Sequence, residues 1–458
     1  MIVPRSRLLF WVAVVVLPFS LLATAEPAAS TVALVAIGGL VALAMVDAAG
    51  ARSGLDGVSV ELPAVARMSQ DRAGKLEVRI RNERQKPKTV RLALGLPREI
   101  ESEQEDARVA LPADSEWSRF AWTCLPRRRG NYRLETARLE TSSPLGFWDA
   151  RKTLPAPSEL RVYPNLSSER RNLAALFLHR SAAGLHAQRQ IGKGREFEKL
   201  REYMPGDGFE EIHWKATAKR GRPITKIFQL ERTQEVYVVI DASRLSGREV
   251  ERQVPAKRSP RPSTPDPPHS TSTLERFITA ALVLGLAAEQ QGDLFGLLTF
   301  TNRVVNFVRA RNGKAHYSSC RDALYLLQPQ VVTPDFDEVC TFIRLRLRRR
   351  GLLVFLTSLD DPVVAESFVR NLDLIQRQHL VVVNMLEPPG VAPAFSNPDV
   401  ATVDDLYERL GGHLRWQNLR ELEKVLQRRG VRFSLLKNER LSADLVSQYL
   451  NVKRRQAL

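Results

Sequence analysis

Cysteine and histidine are scarce in this chain, which has three cysteines and seven histidines among 458 residues. Cys124, Cys320 and Cys340 form no C-x-x-C pair. A disulfide framework needs a denser set of cysteines, and a structural zinc site needs closely spaced ligands. The sequence therefore argues against both. We expect the three thiols to be buried, small and apolar in a reducing compartment.

Motifs for nucleotide binding and for hydrolysis are also missing. The glycines between residues 192 and 208 match neither the P-loop pattern nor a dinucleotide-binding fingerprint. His213 lies near Glu210 and Asp207, but no Ser or Cys nucleophile motif and no H-E-x-x-H spacing surrounds it. We therefore expect no catalytic residues and place His213 on the surface of a helix. A hydrolase that uses Asp241, Asp207 or His213 is the alternative.

The charge of the chain is strongly positive, since Lys and Arg outnumber Asp and Glu by 68 to 51. Such a balance suits either nucleic acid or an anionic membrane surface. The basic residues are dispersed apart from short runs at Arg127–Arg129, Arg344–Arg350 and Lys453–Arg455. No recognised nucleic-acid-binding motif accompanies them. We therefore favour the membrane surface, and a basic module that binds nucleic acid is the alternative.

Two apolar runs without charge stand near the amino terminus, at residues 8–25 and 30–46. A helix of about eighteen residues is about 27 Å long, which is enough to cross the hydrocarbon core of a bilayer. The linker between the runs allows only a tight turn. The sequence therefore predicts a transmembrane helical hairpin over residues 1–50.

Basic residues flank this hairpin on both sides. Arg5 and Arg7 precede the first run, Arg52 follows the second, and Glu26 is the charged residue of the turn. By the positive-inside bias, both flanks and the remainder of the chain are expected in the cytoplasm.

A cleaved signal peptide is the alternative to the hairpin, because the small residues "ATA" stand just before Glu26. Cleavage would leave one anchor and would still place the soluble part inside. The first run is longer than a usual signal core, which favours the two-helix anchor. Asp47, near the end of the second run, is interpreted as an interfacial residue and not as a proton relay.

Residues 51–165 predict an antiparallel β-sandwich-like module. Short runs such as "KLEVRIRN" alternate apolar and charged positions, and Gly, Pro and Asn punctuate them. In this run Leu76, Val78 and Ile80 should face one side of the sheet. A structural or interaction role is the default for such a module.

Residues 235–458 predict a doubly wound α/β domain. The apolar strands "EVYVVID", "DLFGLLTF", "GLLVFLT", "HLVVVNM" and "VRFSLL" are joined by amphipathic helices, which is typical of a mainly parallel sheet. The run "RVVNFV" is interpreted as an edge strand. Residues 255–272 are rich in Pro, Ser and Thr and are predicted to be a disordered insert.

The segment between these domains, residues 166–234, contains "GREFEKLREYMPGDGFEEIHWKATAKRG" at 194–221. The turn "PGD" predicts a helix that begins at Gly208, with Asp207 as its cap and Glu210 completing the capping pattern. Gly221 should end this helix.

We interpret the same segment as a structural clasp and docking surface. Arg201 and Lys215 could form an ion network with Glu202 and Asp207. The predicted interaction residues are Arg201, Tyr203, Asp207, Trp214 and Lys215.

Residues 194–221, which run directly into "RPITKIFQLERTQEVYVVIDAS", resemble the signature of a large bacterial family known as domain of unknown function 58. The order of strands and helices that starts with "VVIDAS" resembles the von Willebrand factor type A fold. The resemblance covers nearly the whole chain. It implies a bacterial inner-membrane protein whose soluble domains face the cytoplasm.

The A-type fold often holds Mg²⁺ through a D-x-S-x-S motif with a later Thr and Asp, since this hard cation prefers oxygen ligands. Asp241 and Ser243 match the motif. Leu245 occupies the third position, and Ser246 stands one residue away. The resemblance thus implies a degraded metal site.

The later acidic ligand of that site is replaced as well. Ser358 stands where it is expected, and Asp360 and Asp361 follow slightly later. The alternative interpretation is structural, with Asp241 capping the following loop and Ser243 satisfying backbone amides.

The resemblance also implies a function and a partner. Family members are commonly encoded beside MoxR-type AAA+ ATPases and are thought to act with them in protein assembly or cell-envelope processes. We therefore expect a membrane-tethered adaptor that binds a protein partner and catalyses no reaction.

Overall fold

The computed structural model describes most of the chain, and the described residues are 1–25, 30–85, 88–167, 169, 171, 191–204, 208–229, 234–251, 270–393 and 402–455. They form two compact units, Met1–Asn165 and Leu166–Leu458. Most of the predicted insert at 255–272 lies outside the described residues. Its last three residues, Ser270–Ser272, form a short strand, which corrects the prediction of disorder there.

Two helices among the described residues are long and apolar enough to cross a bilayer. Helix α1 spans Ser6–Ala25 and contains a π-helical stretch at Val12–Val16, and α2 spans Ser30–Arg52. Large side chains on both helices are exposed, including Leu34 at 75% and Val46 at 70%. Because so much apolar surface is unfavourable in water, the two helices indicate membrane association.

The rest of the first unit consists of two β-sheets. The strands are β1 Ile2–Pro4, β2 Val58–Glu61, β3 Val65–Ser69, β4 Gly74–Asn82, β5 Lys88–Leu94, β6 Ile100–Glu101, β7 Ala107–Leu111, β8 Trp117–Pro126, β9 Gly130–Ser142 and β10 Trp148–Tyr163. One sheet has the order β1-β10-β9-β5-β7 with β3 beside β10, and the other has the order β2-β4-β8-β6.

The two sheets share one hydrophobic core, which includes Leu92 from the first sheet and Trp122 from the second. Leu76, Val78 and Ile80 are fully buried in this core, as the alternation in β4 predicted. The neighbouring strands run antiparallel except β3, which is parallel to β10. The residues before α1 and those after α2 thus form one sheet-rich body.

Strand β1 was not predicted from the sequence. It precedes α1 and pairs antiparallel with β10, with Ile2 opposite Ala150. At the other end of the hairpin, Ala51 of α2 is buried in the core of the sandwich. Both ends of the helical hairpin are therefore fixed to the same β module.

Asp47, interpreted from the sequence as an interfacial residue, is buried within the first unit. This residue is 3% exposed. Its carboxylate accepts hydrogen bonds from Ser143 Oγ at 2.5 Å, from the Leu145 amide at 3.0 Å and from the Phe147 amide at 3.1 Å. The side chain thereby attaches α2 to the turn between β9 and β10. A buried carboxylate with several donors is well satisfied, which explains why it is tolerated at the end of an apolar helix.

The second unit contains β11 to β20 and helices α3 to α9. The strands are β11 Ile191–Glu202, β12 Ile224–Gln229, β13 Glu235–Asp241, β14 Glu249–Glu251, β15 Ser270–Ser272, β16 Leu294–Phe300, β17 Val304–Arg311, β18 Gly351–Leu356, β19 Leu380–Leu386 and β20 Arg432–Leu436. The helices are α3 Trp214–Arg220, α4 Thr273–Gln290, α5 Lys314–Leu324, α6 Phe336–Arg346, α7 Pro362–Asn371, α8 Val403–Arg428 and α9 Leu441–Arg454.

A six-stranded sheet of order β17-β16-β13-β18-β19-β20 forms the centre of this unit. All its neighbours are parallel except β17, which runs antiparallel at the edge. Alternate residues of β13 enter different cores. Val238 packs with α4 and α9, whereas Val239 packs with α6, α7 and α8. The sheet is thus covered by helices on both faces, as the apolar strand runs predicted.

The three cysteines are buried and form no disulfide. Burial raises the pKa of the Cys124 thiol to about 11 and the pKa of Cys320 and Cys340 to about 12. At about pH 8 we expect no fast-reacting thiol in the native chain, because the thiolate is the reactive form. Titration with Ellman's reagent should detect all three thiols after unfolding. A rapidly modified native thiol would contradict this expectation.

Candidate functional site

Buried polar side chains collect where the central strands of the second unit end. They are less than 10% exposed, in a region where neighbouring residues are apolar. The group comprises Asp241, Ser243, Thr299, Thr301, Thr357, Ser358 and Asn384. Because parallel strands end at one edge of the sheet, these residues share the position at which α/β domains bind ligands.

Asp241, the last residue of β13, is 1% exposed. Its Oδ1 accepts a hydrogen bond from the Ser243 amide at 2.8 Å, and its Oδ2 accepts one from Thr357 Oγ1 at 2.7 Å. Burial raises the pKa of Asp241, and the hydrogen bonds from Thr357 and Ser243 oppose part of this effect. The carboxylate thus caps the turn after β13 and ties it to the end of β18, as the structural alternative for Asp241 predicted. The Ser243 part of that alternative is wrong, because within the described residues the buried Ser243 hydroxyl satisfies no backbone amide.

The residue after Ser243 begins a 3₁₀ turn, Arg244–Gly247, which explains the departure from D-x-S-x-S. Leu245 is 4% exposed and packs in the core between the sheet and α6, so a ligand at this position would lose that contact. Ser246 Oγ donates to the Ser243 carbonyl at 2.7 Å. The hydroxyl of Ser246 therefore stabilises the turn.

The two carboxylates after β18 are paired with arginines. Asp360 forms an ion pair with Arg248, and Asp361 lies 3.4 Å from Arg244. Asp361 also caps α7, since its Oδ1 accepts a hydrogen bond from the Val363 amide at 3.0 Å. These contacts hold the loop after β13 against the loop after β18. A cation at this edge would meet two guanidinium groups.

The oxygen atoms at this edge suit a magnesium ion poorly. A hard divalent cation favours several carboxylate and carbonyl oxygens in near-octahedral geometry. Here Asp241 already accepts two hydrogen bonds, and Ser358 supplies only a neutral hydroxyl in the acidic position. In the part of the chain that the structure describes, no group of three or more His, Cys, Asp or Glu residues could hold a metal ion.

Two further polar residues were missed from the sequence. Thr299 on β16 and Asn384 on β19 are both fully buried. Within the described residues, the Thr299 hydroxyl and the Asn384 amide have no hydrogen-bond partner. Each is a single polar residue within an apolar strand run, and this pattern could have identified both. Such groups are costly to bury without a partner. Thr299 and Asn384 therefore leave hydrogen-bonding groups at this edge in addition to those of Asp241.

The signature segment forms an antiparallel ribbon of β11 and β12, in which Glu202 pairs with Ile224. Asp207 lies outside the described residues. The helix expected from Gly208 is absent; Phe209–Glu211 form a 3₁₀ turn instead. Ile212 then makes an isolated bridge with Thr225 and is 8% exposed. Burial of Ile212 against the ribbon interrupts the helix, which corrects the prediction.

Helix α3 therefore starts later than expected, at Trp214. His213 is its cap and not a residue of the helix surface, since its Nδ1 accepts a hydrogen bond from the Ala216 amide at 3.0 Å. Gly221 ends the helix with φ +66°, as predicted.

The Glu202 part of the predicted ion network is different in the structure, and the Asp207 part lies outside the described residues. Glu202 pairs with Arg222 at 2.5 Å, and Lys215 is exposed. Arg201 is partly buried within the ribbon. Arg222 reaches Glu202 because it precedes Ile224, the residue paired with Glu202, by two positions. The sequence could not show this pairing because the ribbon was not predicted.

Large apolar side chains are exposed at the tip of this ribbon. Phe209 is 76% exposed, Trp214 is 69% exposed and Met204 is 56% exposed. Tyr203 stacks on Phe209, with ring centroids 6.2 Å apart. Aromatic residues and methionine are enriched where proteins bind one another. The tip, defined here as residues 203–204 and 208–214, is thus a candidate docking surface.

A sequence profile of the family described as "Protein of unknown function DUF58" matches residues 199–259 and 263–392. The match supports the DUF58 family. It begins in the ribbon and extends through β19, so the tip and the carboxyl edge of the sheet both lie in the region typical of DUF58. The chain matches no curated protein.

Several solved structures are similar over parts of the chain. An aerotolerance-related membrane protein from Bacteroides fragilis is 13% identical, with 48% of this chain and 98% of that chain covered and a TM-score of 0.28. An uncharacterized membrane spanning protein from Vibrio fischeri is 14% identical, with coverages of 48% and 98% and a TM-score of 0.16. Proximal thread matrix protein 1 from the mussel byssus is 11% identical, with coverages of 47% and 45% and a TM-score of 0.24. Scores this low do not establish a shared fold.

Proposed function

We propose that this chain is a membrane-tethered adaptor that binds a protein partner and catalyses no reaction. The observation that carries the proposal is the exposed apolar tip, with Met204, Phe209 and Trp214 on one end of the ribbon. Exposed aromatic rings of this kind act as anchors in protein interfaces. The DUF58 match includes the tip, which connects this surface to the family.

The carboxyl edge of the sheet supports a non-enzymatic role. Asp241 would be the first candidate for acid–base chemistry, but it is buried and both its oxygens accept hydrogen bonds. Asp360 and Asp361 are paired with arginines. These carboxylates are used to hold loops together, which favours a binding module over a hydrolase.

The second unit is proposed to be a von Willebrand factor type A-like head. The position of β13 at the centre of the sheet, with Asp241 at its end, supports this assignment. The antiparallel edge strand β17 beside β16 agrees with it. The degraded Asp241–Ser243 motif would then be a remnant of a magnesium site.

The proposed location is the bacterial inner membrane, with both soluble parts in the cytoplasm. The pairing of β1 with β10 and the burial of Ala51 in the sandwich place both ends of the hairpin on the side of the β module. Arg5, Arg7 and Arg52 support the cytoplasm as that side. Retention of β1 in the sheet also favours an uncleaved first helix.

The proposed partner is a MoxR-type AAA+ ATPase that acts in protein assembly or cell-envelope processes. The family resemblance supports this choice. Affinity capture of the full chain from solubilised membranes should recover the ATPase. The double variant Phe209→Ala/Trp214→Ala should lose most of it, because truncating an anchor residue commonly costs about 2 kcal/mol or more.

The matched control removes two other exposed apolar side chains of the same unit, Leu326 at 53% and Val331 at 93% exposure. Leu326→Ala/Val331→Ala should recover as much ATPase as the native chain. Recovery of another stable partner without the ATPase would refute the ATPase as the partner of this chain. Equal recovery by all three chains would refute the tip as the docking surface.

A further inference from the structure

Basic residues that are distant in sequence meet at one edge of the second unit. This edge, called the amino edge here, is where the parallel strands of the central sheet begin. Arg348–Arg350 directly precede β18, Arg377 precedes β19, and Arg428 and Arg432 stand on either side of the turn into β20. Strands β18, β19 and β20 are parallel neighbours, so these loops are adjacent. Gln378 Nε2 joins two of them by donating to the carbonyls of Leu347 at 3.0 Å and Arg348 at 2.9 Å.

The other basic run of the carboxy-terminal half reaches the same edge. Lys453 Nζ donates to the Gln291 carbonyl at 3.0 Å and to Asp293 at 2.8 Å, immediately before β16 begins. The run Lys453–Arg455 therefore lies at the start of β16. Arg311 pairs with Phe295 at the same end of β17 and β16. The amino edge thus carries basic residues from one side of the sheet to the other.

Most of this charge is not neutralised by the protein. Arg348, Arg349, Arg377, Arg428 and Arg432 are exposed, and none has an ion pair within the described residues. Unpaired guanidinium groups held close together repel one another, so their clustering favours an anionic partner.

An exposed apolar side chain stands within the same surface. Leu345 is 71% exposed between the exposed residues Arg344 and Arg346. Basic residues beside an exposed leucine suit the boundary between lipid headgroups and acyl chains.

We propose that the amino edge, comprising Arg344–Arg350, Arg377, Arg428, Arg432 and Lys453–Arg455, binds the surface of an anionic lipid bilayer. The hairpin keeps the chain at a membrane, and each basic residue near an anionic leaflet adds to the attraction. A single-stranded nucleic acid would call for exposed aromatic rings for base stacking. On the described part of this edge the exposed large apolar side chain is Leu345. The proposal rests on membrane association and not on the protein partner.

The test uses the full chain in lipid nanodiscs. A fluorophore is attached at Gln427→Cys on the amino edge or at Val363→Cys near the carboxyl edge, which is 76% exposed. The native thiols are buried and protonated and do not compete for the label.

A headgroup-attached quencher then reports contact of the label with lipid. Quenching at residue 427 should be about threefold stronger in discs with anionic phosphatidylglycerol than in phosphatidylcholine discs, and should weaken with salt. Quenching at residue 363 should not change.

Charge-reversal variants distinguish the effect of the charges on the amino edge from the effect of the net charge of the chain. Arg348→Glu/Arg349→Glu/Arg377→Glu should abolish the difference between the two lipids at residue 427. The control Arg303→Glu/Arg415→Glu/Lys437→Glu changes the net charge equally at exposed residues away from this edge and should preserve it.

Each other outcome overturns the proposal. Equal quenching in both lipids, or equal loss in both triple variants, would show that the edge does not recognise the bilayer. Shielding of the label by single-stranded RNA, without quenching in anionic discs, would assign the edge to nucleic acid. A chain that fails to enter discs would refute the membrane anchor itself, and this failure is visible before any quenching is measured.

Discussion

Replacing Asp241 with alanine is expected to lower the free energy of unfolding of the second unit by about 3 kcal/mol, because two buried donors lose their acceptor. These donors are the Ser243 amide and the Thr357 hydroxyl, at 2.8 and 2.7 Å from the carboxylate. Denaturant unfolding of the full chain in detergent would measure the loss. An unchanged midpoint would mean that the carboxylate does not hold the two loops together.

Asp241→Asn is the matched control, and its stability should depend on pH in a defined direction. Burial raises the pKa of Asp241 in the folded chain. The contribution of this carboxyl to stability is therefore complete in acid, below the pKa of the unfolded state, and is lost as pH rises through the raised pKa. Asparagine does not ionise. The stability of Asp241→Asn relative to the native chain should thus increase from about pH 4 to about pH 7.

The same variant distinguishes an adaptor from a hydrolase. Asparagine preserves the size of the side chain and one acceptor oxygen, so the loops should remain in place and capture of the partner should remain normal. A hydrolase that uses Asp241 would lose turnover in this folded protein. Detection of such a loss would refute the non-enzymatic proposal while leaving the fold intact.

Gly412→Ala is expected to destabilise the second unit by about 3 kcal/mol through overpacking. A methyl group at Gly412 of α8 would lie far inside van der Waals contact of the Gly390 carbonyl oxygen. Gly390 has φ +74° in a turn, so its backbone cannot move aside without strain. Helix α8 would have to shift away from the turn that contains Gly390. Hydrogen exchange of α8 amides and the unfolding midpoint would measure the effect.

The adjacent glycine supplies the control. A methyl group at Gly411 would meet nothing within 4 Å. Gly411→Ala should therefore stabilise α8 by about 1 kcal/mol, since alanine favours a helix more than glycine does. Destabilisation of both variants to the same degree would point to a general intolerance of α8 and not to the contact with Gly390.

The central sheet of the second unit could be predicted because its strands are buried on both faces. Runs such as "EVYVVID" and "GLLVFLT" are continuous and apolar, and they correspond to β13 and β18. The run "RVVNFV" was interpreted as an edge strand, and β17 lies at the edge of the sheet. Hydrophobic pattern alone carried these predictions.

Local signals failed where tertiary contacts outweigh them. The capping pattern near Gly208 predicts a helix, but burial of Ile212 beside Thr225 breaks it. Leu245 departs from a metal-binding motif because its side chain is needed in the core. Both outcomes depend on neighbours that are remote in sequence, so a window of adjacent residues contains no information about them.

The candidate surfaces depend even more on topology. Arg348 and Lys453 are far apart in the chain, and only the order of parallel strands brings their segments to one edge. The polar carboxyl edge is similar, since Asp241 meets Thr357 across two neighbouring strands. The residues could be named from the sequence, but their grouping required the sheet.

The pairing of Ile2 with Ala150 also sets an order of events during synthesis. A ribosome that adds about 15 residues per second needs roughly 10 s to reach β10 after producing β1. Both apolar helices leave the ribosome well before then and can enter the bilayer while β1 has no partner. The nascent amino end must stay on the side of the membrane where β10 folds, and the sandwich is complete only when β1 pairs with β10. If that end crossed the membrane, β10 would lose β1 and the sheet would have an unpaired edge strand, which favours aggregation.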